Sequence, residues 1–266
     1  MTSDDTATRT APDADTAAPL AAGVRQLGPR GIAGVWAAAA LPMGACAWIL
    51  APWLAGRLTG PGALARAMIA ALTVGLLWQS VLVLLLVRRE QGSVRWHVLR
   101  DALWLHPPTG SAGRRGGRLW LVVLPLVALA AAKDLVPKLP HPAGLDFFAA
   151  LGTPEGRGMF AGAWGWFAVL VVMCVGNTVV GEEVLFRGYL LPRMGGVFGR
   201  LDWVANGVIF ALYHLHRWWA IPGLLAGVVT YAWPTRRYRS ALVGIVVHSA
   251  QSVATIVLVL PLVLGL

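Results

Sequence analysis

Apolar residues form long runs along this chain, separated by short polar segments. We place seven runs near residues 32–56, 66–87, 119–136, 160–181, 203–216, 219–233 and 241–264. Such runs indicate membrane-spanning helices, although the third, fifth and sixth are short for a hydrocarbon core of about 30 Å. Short spans are tolerated where the protein thins the bilayer or encloses a wet cavity. The pattern predicts an all-α, polytopic membrane bundle of about seven transmembrane helices.

The composition agrees with a membrane protein. Apolar residues make up 57% of the 266 residues, charged residues make up 13%, and the mean hydropathy is +0.66. A net charge of +10 and a pI near 10.9 would indicate nucleic-acid binding in a soluble chain. In a membrane protein, arginines in cytoplasmic loops beside anionic lipid explain the charge better. We therefore predict the lipid bilayer as a partner and no nucleic acid.

Composition divides the chain into three parts. Residues 1–30 are predicted to be a disordered cytoplasmic tail, because their start is acidic, rich in small residues and free of aromatics. Residues 31–159 hold the N-terminal transmembrane helices and a basic cytoplasmic loop at 88–118, in which residues 93–106 form either an interfacial helix or a linker. Residues 160–260 carry three clusters of polar and ionisable groups in or beside the apolar runs and form the candidate core.

The distribution of basic residues predicts the orientation. With the N-terminus in the cytoplasm, three arginines of the tail, seven of the second loop and six of the later loops face that side, which is sixteen of the 22 basic residues. Basic residues are enriched in cytoplasmic loops, so this split favours a cytoplasmic N-terminus and an external C-terminus. The use of arginine over lysine indicates a bacterial source, and hence the bacterial plasma membrane as the location.

Three polar clusters lie within the apolar runs or directly at the end of one. At membrane depth an ionisable residue costs at least about 2.5–3.5 kcal/mol and marks a functional site by default. They are Glu182, Glu183 and Arg187; Phe210 and His214; and His248 and Ser252. Glu183 and Arg187 are four residues apart, so they can form an ion pair on one helix face. Adjacent helical positions differ by about 100°, which leaves Glu182 free to face a cavity near the end of its span.

The clusters are compatible with two kinds of chemistry. A carboxylate beside an imidazole in an apolar pocket can take a proton from water, while a second His and a hydroxyl donate to an oxyanion. Alternatively, Glu182, His214 and His248 could hold a divalent metal such as Zn that activates water. No cofactor follows with certainty from the residues, because the pattern is not HExxH. An interfacial salt bridge and packing histidines are the structural alternative for each cluster taken alone.

The remaining histidines receive no role in this interpretation. His216 is two positions from His214, so we expect it on a nearly opposite face, at the membrane interface with Arg217 and Trp218. His97, His106 and His141 lie between the predicted spans. Cys46 and Cys174 lie inside apolar runs and are expected to be small buried hydrophobes.

Taken together, the three motifs resemble the CPBP family, which contains CAAX-processing endopeptidases and bacteriocin-processing or immunity proteins and is also called the Abi family. The matching motifs are EExxxR at Glu182–Arg187, FxxxH at Phe210–His214, and the later intramembrane His248. The resemblance covers roughly residues 160–260, and it implies an intramembrane peptidase whose site opens toward the cytoplasm. The metallo- or glutamate-type mechanism is left undecided.

The resemblance also implies roles for the individual residues. Glu182 and His214 match the pair thought to activate water, and Glu183 and Arg187 match the supporting pair. Phe210 of the second motif is also predicted to be a supporting residue. His248 matches the histidine assigned to oxyanion stabilisation or, in older views, to metal binding. The family usually carries Asn four residues after this histidine, whereas this chain has Ser252, which is shorter and can donate one hydrogen bond.

We therefore expect an endopeptidase that cleaves a membrane-associated protein or peptide. Leader peptides, bacteriocins and membrane-anchored regulators are more plausible substrates in a bacterium than a prenylated protein. A non-catalytic immunity or export accessory protein of the same family is the alternative. A small-solute transporter is disfavoured, because the sequence contains no internal repeat and its polar groups cluster in the C-terminal half. The sequence does not indicate an oligomeric state.

Overall fold

The computed structural model describes residues 24–60, 62–141 and 153–266. Residues 1–23 of the predicted disordered tail lie outside the described residues, and Pro29 and Arg30, which were assigned to that tail, begin the first helix. Within them the chain is helical and forms no β-strand, apart from one isolated bridge between Thr109 and Arg115. The predicted all-α class is confirmed.

Nine helices build the described part of the molecule, together with single helical turns at Gly195–Phe198 and Ile221–Leu224. In chain order they are α1 (Pro29–Ala55), α2 (Ala63–Gln91), α3 (Trp96–Ala102), α4 (Val123–Ala132), α5 (Pro154–Phe160), α6 (Trp164–Arg193), α7 (Asp202–Tyr213), α8 (Trp233–Tyr238) and α9 (Ala241–Leu264). Helix α3 lies inside the segment 93–106 that was predicted to be a helix or a linker.

Four of these helices, namely α1, α2, α6 and α9, are long and apolar enough to cross a membrane. Large apolar side chains on them face outward, as lipid-facing side chains do, among them Leu41, Ile49, Leu85, Val257 and Leu258. An integral membrane protein is thus supported, while the predicted count of seven spans is not confirmed. The third, fifth and sixth predicted spans are divided into shorter helical pieces, such as the 3-10 segments Gly117–Val122 and His214–Ala220.

Backbone hydrogen bonds between distant segments define two ends of the bundle. At the first end, the Leu27 amide donates to the Arg193 carbonyl at 3.0 Å and the Thr109 amide donates to the Tyr238 carbonyl at 2.9 Å. At the second end, the corresponding bonds join Leu139 to Trp219 at 3.0 Å and Gly162 to Val263 at 3.1 Å. The chain between Arg193 and Tyr238 thus runs from the first end to the second and back in broken helices.

The first end is also joined by a buried ion pair. Nε of Arg193 lies 2.8 Å from Glu90, and the Arg193 guanidinium donates to the carbonyls of Ala102 and Tyr189 at 3.1 and 2.8 Å. Because every donor group of this fully buried arginine has a partner, its charge is satisfied inside the protein. The contact fixes the end of α6 against α2 and α3.

Helix α6 is longer than its predicted span. The apolar run was predicted to end at residue 181, so that Glu182 would lie at the end of its helix. The helix instead continues for eleven residues beyond Glu182, to Arg193, which is about 16 Å at 1.5 Å per residue. The prediction was wrong because the two glutamates ended the apolar run, whereas their side chains are paired inside the protein and the helix goes on through them.

Candidate active site

Two π-helical segments of α6 flank the paired glutamates, Gly176–Gly181 before them and Val184–Leu190 after them. The backbone amide of Glu182 donates to the carbonyl of Asn177, five residues earlier, which is the π-helical bond. Short π-helical turns inside α-helices are rare and occur frequently at functional sites. The charged residues of α6 therefore lie where the helix departs from its regular period.

Glu182 faces His214, as the sequence predicts. Oε1 of Glu182 and Nε2 of His214 are 3.6 Å apart, and both side chains are buried. Nδ1 of His214 lies 2.9 Å from the carbonyl oxygen of Phe210. Because a carbonyl only accepts, Nδ1 carries the proton of the neutral ring, and the lone pair of Nε2 points toward the carboxylate.

Two side chains that the sequence interpretation missed also contact Glu182. With the amide nitrogen of Asn177 oriented toward the carboxylate, it donates to Oε1 at 3.1 Å and to Oε2 at 2.8 Å. The hydroxyl of Tyr213 interacts with Glu182 as well, and it accepts a hydrogen bond of 2.5 Å from Nε2 of Gln79. Glu182 is thus contacted by residues of α6 and α7, and Tyr213 is in turn supported from α2.

Glu183 forms a separate buried cluster with Arg187 and His248. Nε of Arg187 is 3.5 Å from Oε2 of Glu183, and Nδ1 of His248 is 3.1 Å from Oε1. Glu183 and Arg187 are fully buried, so the carboxylate has a cation on one oxygen and an imidazole on the other. The predicted separation of the two glutamates is confirmed, because Glu182 faces His214 while Glu183 faces Arg187.

The Phe210 ring lies between the two clusters. The guanidinium of Arg187 stacks over this ring at 4.0 Å from its centroid. The edge-to-face partners of the same ring are His214 at 4.9 Å and His248 at 6.4 Å. The His248 ring also stacks on the Tyr231 ring, with the two centroids 5.0 Å apart. Phe210 therefore separates the histidines and covers the buried guanidinium, which fits the supporting role predicted for it.

Ser252 lies apart from these groups. Its hydroxyl donates to the carbonyl oxygen of Cys174 at 3.3 Å. Cys174 precedes Glu182 by eight residues on α6, a separation of about 12 Å along the helix. The structure thus directs the Ser252 hydroxyl toward the backbone of α6, and its part in oxyanion stabilisation stays a prediction.

The expectation for His216 was wrong. Its side chain is buried, and its ring stacks on that of His214 with centroids 5.6 Å apart and an interplanar angle of 29°. The backbone leaves the helical region at His214 (φ −84°, ψ 25°) and again at Arg217 (φ −137°, ψ 54°), so a uniform 100° per residue does not apply there. The His216 imidazole therefore lies next to the candidate pair of Glu182 and His214.

The predicted metal ligands do not converge. His248 is directed at Glu183, whereas Glu182 and His214 face each other. Among the residues that the structure describes, no three His, Cys, Asp or Glu side chains are grouped as a metal site. The arrangement of these side chains does not fit the Zn alternative.

A largely apolar cavity of about 300 Å³ lies beside the site, between α1 and the end of α7. Its lining includes Trp36 and Trp48 of α1 together with Tyr213 and His216. The indole of Trp48 donates to the His216 carbonyl at 3.3 Å, and that of Trp36 donates to the Ile209 carbonyl at 2.9 Å. Helix α1 is thereby anchored to the segment that carries His214.

Comparison with known proteins bears on this part of the chain. The family model described as Type II CAAX prenyl endopeptidase Rce1-like matches residues 163–254. This match agrees with the predicted resemblance over residues 163–254. The Rce1-like segment includes α6, α7 and α8 and the part of α9 with His248 and Ser252, so all the residues of the two buried clusters lie inside it. Neither the curated proteins nor the solved structures contain a match to the chain.

The Rce1-like family supports a membrane protease function in general, since its description is that of an endopeptidase. A membrane protease function agrees with the apolar helices of the fold, which indicate a bilayer environment. A protease also implies a peptide substrate.

Proposed function

We propose that this protein is an intramembrane endopeptidase in which Glu182 and His214 activate a water molecule for attack on a peptide bond. The observation that carries the proposal is the geometry of the pair. A carboxylate oxygen and an imidazole lone pair face each other at 3.6 Å inside the bundle. Both atoms accept hydrogen bonds, so a donor of two protons, such as water, can bridge them from one side.

The reaction follows from these two acceptors. Water donates one proton to Glu182 and one hydrogen bond to Nε2 of His214, and its oxygen attacks the carbonyl carbon of the peptide. The carbon–nitrogen bond then breaks, and the proton held by Glu182 passes to the leaving amine, so that atoms and charge balance. General acid–base catalysis of this kind contributes typically about 10²–10⁴-fold to the rate.

The second cluster supports the tetrahedral intermediate. His248 donates through Nδ1–H to Glu183, which leaves its Nε2 free to carry a second proton and to donate to the oxyanion. The nearby Glu183 carboxylate would stabilise the positive charge that the ring then carries. Arg187 offsets the charge of the fully buried Glu183 carboxylate.

The proposal extends to the location of the enzyme and its substrates. We place it in a bacterial plasma membrane, with a cytoplasmic N-terminus and a site that opens toward the cytoplasm, on the basis of the arginine distribution. The first end of the bundle, where Arg193 and Tyr238 lie, would face the cytoplasm in this orientation. Leader peptides, bacteriocins and membrane-anchored regulators are the proposed substrate classes.

Comparison of membrane proteomes tests the proposal. Cells that carry only Glu182→Gln should accumulate an uncleaved precursor that wild-type cells process, because the amide cannot take a proton from water. Glu155→Gln is the matched control, since Glu155 is exposed and the substitution is the same. The purified wild-type protein should then cleave this precursor in detergent micelles, and Glu182→Gln should not. Cleavage at the wild-type rate by Glu182→Gln would refute the role of Glu182.

A non-catalytic accessory protein is a second candidate. It is favoured by the contact of Ser252 with the Cys174 carbonyl, since the chain lacks the usual Asn of the third motif and directs the shorter hydroxyl elsewhere. Deletion phenotypes separate the two candidates. Full rescue of a deletion strain by a stably inserted Glu182→Gln protein supports the accessory function, and failure to rescue supports the peptidase.

A further inference from the structure

Glu182 is held by a side chain of its own helix. The amide nitrogen of Asn177 donates to both carboxylate oxygens, at 3.1 and 2.8 Å, and the Glu182 amide donates back to the Asn177 carbonyl. Hydrogen bonds to a charged acceptor are stronger than those between neutral groups. A carboxylate that accepts a hydrogen bond on each oxygen has a fixed plane. The Asn177 amide therefore sets the direction in which Oε1 of Glu182 faces His214.

The π-helical turn makes this contact geometrically accessible. In a regular α-helix, two residues five positions apart differ by about 140° around the axis and cannot meet. In the π-helical segment Gly176–Gly181, the hydrogen bonds join residues five apart and bring such pairs onto one face. Asn177 and Glu182 are one of these pairs. The local change of helical period therefore has an identifiable consequence for the candidate site.

Gly181 allows the turn to form. A Cβ atom at this position would lie 2.7 Å from the carbonyl oxygen of Gly176, closer than real Cβ atoms come to backbone atoms. At Gly176, by contrast, an added Cβ would meet nothing within 4 Å. The two glycines of the same turn thus differ in what they tolerate, and they provide a matched pair of substitutions.

We propose that Asn177 is a positioning residue that orients the Glu182 carboxylate toward His214, and that the π-helical turn and Gly181 are the structural basis of this orientation. The catalytic consequence rests on the proposed function, whereas the coupling between Asn177 and Glu182 does not. An amide neither gains nor loses a proton in the reaction. Asn177 therefore acts through Glu182 by supplying two N–H groups.

A side chain that merely fills space would behave differently from a donor. Asn177→Asp preserves the size and shape of the side chain but replaces the amide with a carboxylate that faces Glu182. If Asn177 only packs, Asp should be tolerated better than Ala. If Asn177 donates to Glu182, Asp should be at least as damaging as Ala, because like charges repel inside the bundle.

Thermal unfolding of the full-length protein in detergent micelles tests the coupling without a substrate. We expect Asn177→Asp to lower the unfolding temperature of the wild-type protein by several degrees. In the Glu182→Gln background, the same substitution should cause little or no loss, because the side-chain amide introduced by Glu182→Gln can donate to the new carboxylate. An equal loss in both backgrounds would overturn the proposal, as would a loss smaller than that caused by Asn177→Ala.

Kinetics on the precursor identified with Glu182→Gln test the catalytic consequence. We expect Asn177→Ala to lower kcat roughly 10- to 100-fold, with KM nearly unchanged, because a hydrogen bond to a charged group is lost while the substrate contacts remain. Asn177→Asp should lower kcat at least as much. An Asn177→Ala enzyme with wild-type kcat would overturn the positioning role. Intact thermal coupling in a protein that cleaves nothing would instead refute the proposed function and leave the coupling standing.

The glycine pair tests the turn itself. Gly181→Ala should reduce kcat by about the same factor as Asn177→Ala, because the methyl group forces the turn to shift and separates the amide from the carboxylate. Gly176→Ala should retain wild-type kcat and at least wild-type stability, since alanine favours a helix over glycine by about 1 kcal/mol, or roughly fivefold in an equilibrium constant. Equal activity of the two variants would contradict the part assigned to the turn.

Discussion

Replacement of Arg187 by methionine should destabilise the protein strongly. The substitution keeps a long unbranched side chain but leaves the fully buried carboxylate of Glu183 without its cation. Removal of one partner of a buried ion pair costs typically about 3–5 kcal/mol. His248 still donates to the other oxygen of Glu183 at 3.1 Å, so we expect the lower end of this range, about 3 kcal/mol.

A second substitution separates the charge effect from the loss of packing. In the Arg187→Met/Glu183→Gln double variant no buried carboxylate is left unpaired, so most of the lost stability should return. What remains should reflect the lost stacking of the guanidinium on Phe210, which is worth about 0.5–2 kcal/mol.

Thermal unfolding in detergent micelles measures both effects. A loss of about 3 kcal/mol corresponds to a fall of roughly 6–12 °C in Tm for a chain of this size. Arg200→Met is the control, because Arg200 is exposed and should be replaceable without loss. The proposed charge effect is refuted if Arg187→Met melts at the same temperature as the wild-type protein. It is also refuted if the double variant melts no higher than the single variant.

Three further predictions concern the same region. Gly244→Ala should lower the free energy of unfolding by about 1–3 kcal/mol, because the new Cβ would lie 2.6 Å from Oε2 of Glu183. Gly34→Ala is the control and should cost nothing, because its Cβ meets nothing within 4 Å. Equal losses in the two variants would contradict the close approach of Gly244 to Glu183. Ser252→Ala should lower kcat less than about threefold, whereas His248→Ala should lower it about 100-fold; the reverse order would return the oxyanion role to Ser252. Cleavage of the precursor should survive rigorous chelation of metal ions. Loss of cleavage that added Zn restores would refute water activation by Glu182 and His214 without a metal.

The pairing that could be predicted from sequence is the one that regular helical spacing already suggests, and it is present although Arg187 lies in a π-helical segment. Glu183 and Arg187 are four apart and lie on one face, and the adjacent Glu182 necessarily points elsewhere. The pairing of Glu183 with Arg187 within α6 was predicted from this spacing. That Glu182 faces His214 was predicted once the three motifs were considered together. The all-α membrane fold was equally accessible, because the length and apolar character of α1, α2, α6 and α9 depend on composition alone.

The remaining features depend on local departures from that regularity. Asn177 was missed because a constant 100° per residue separates it from Glu182, and only the π-helical turn brings the two together. His216 was misplaced because the backbone leaves the helical region at His214. The end of α6 was misplaced because hydropathy counts a glutamate as polar, whether or not its side chain is paired and buried. In each case the deciding information is a backbone angle or a tertiary contact.

The π-helical turn at Gly176–Gly181 also changes the register of helix α6. A turn that joins residues five apart contains one residue more than the α-helical turn it replaces, so it corresponds to a single-residue insertion whose effect on register is absorbed locally. The helix on either side can keep its packing faces while one extra side chain enters the interior. In α6, the turn brings Asn177 beside Glu182 while the helix on either side packs against α2 and α9.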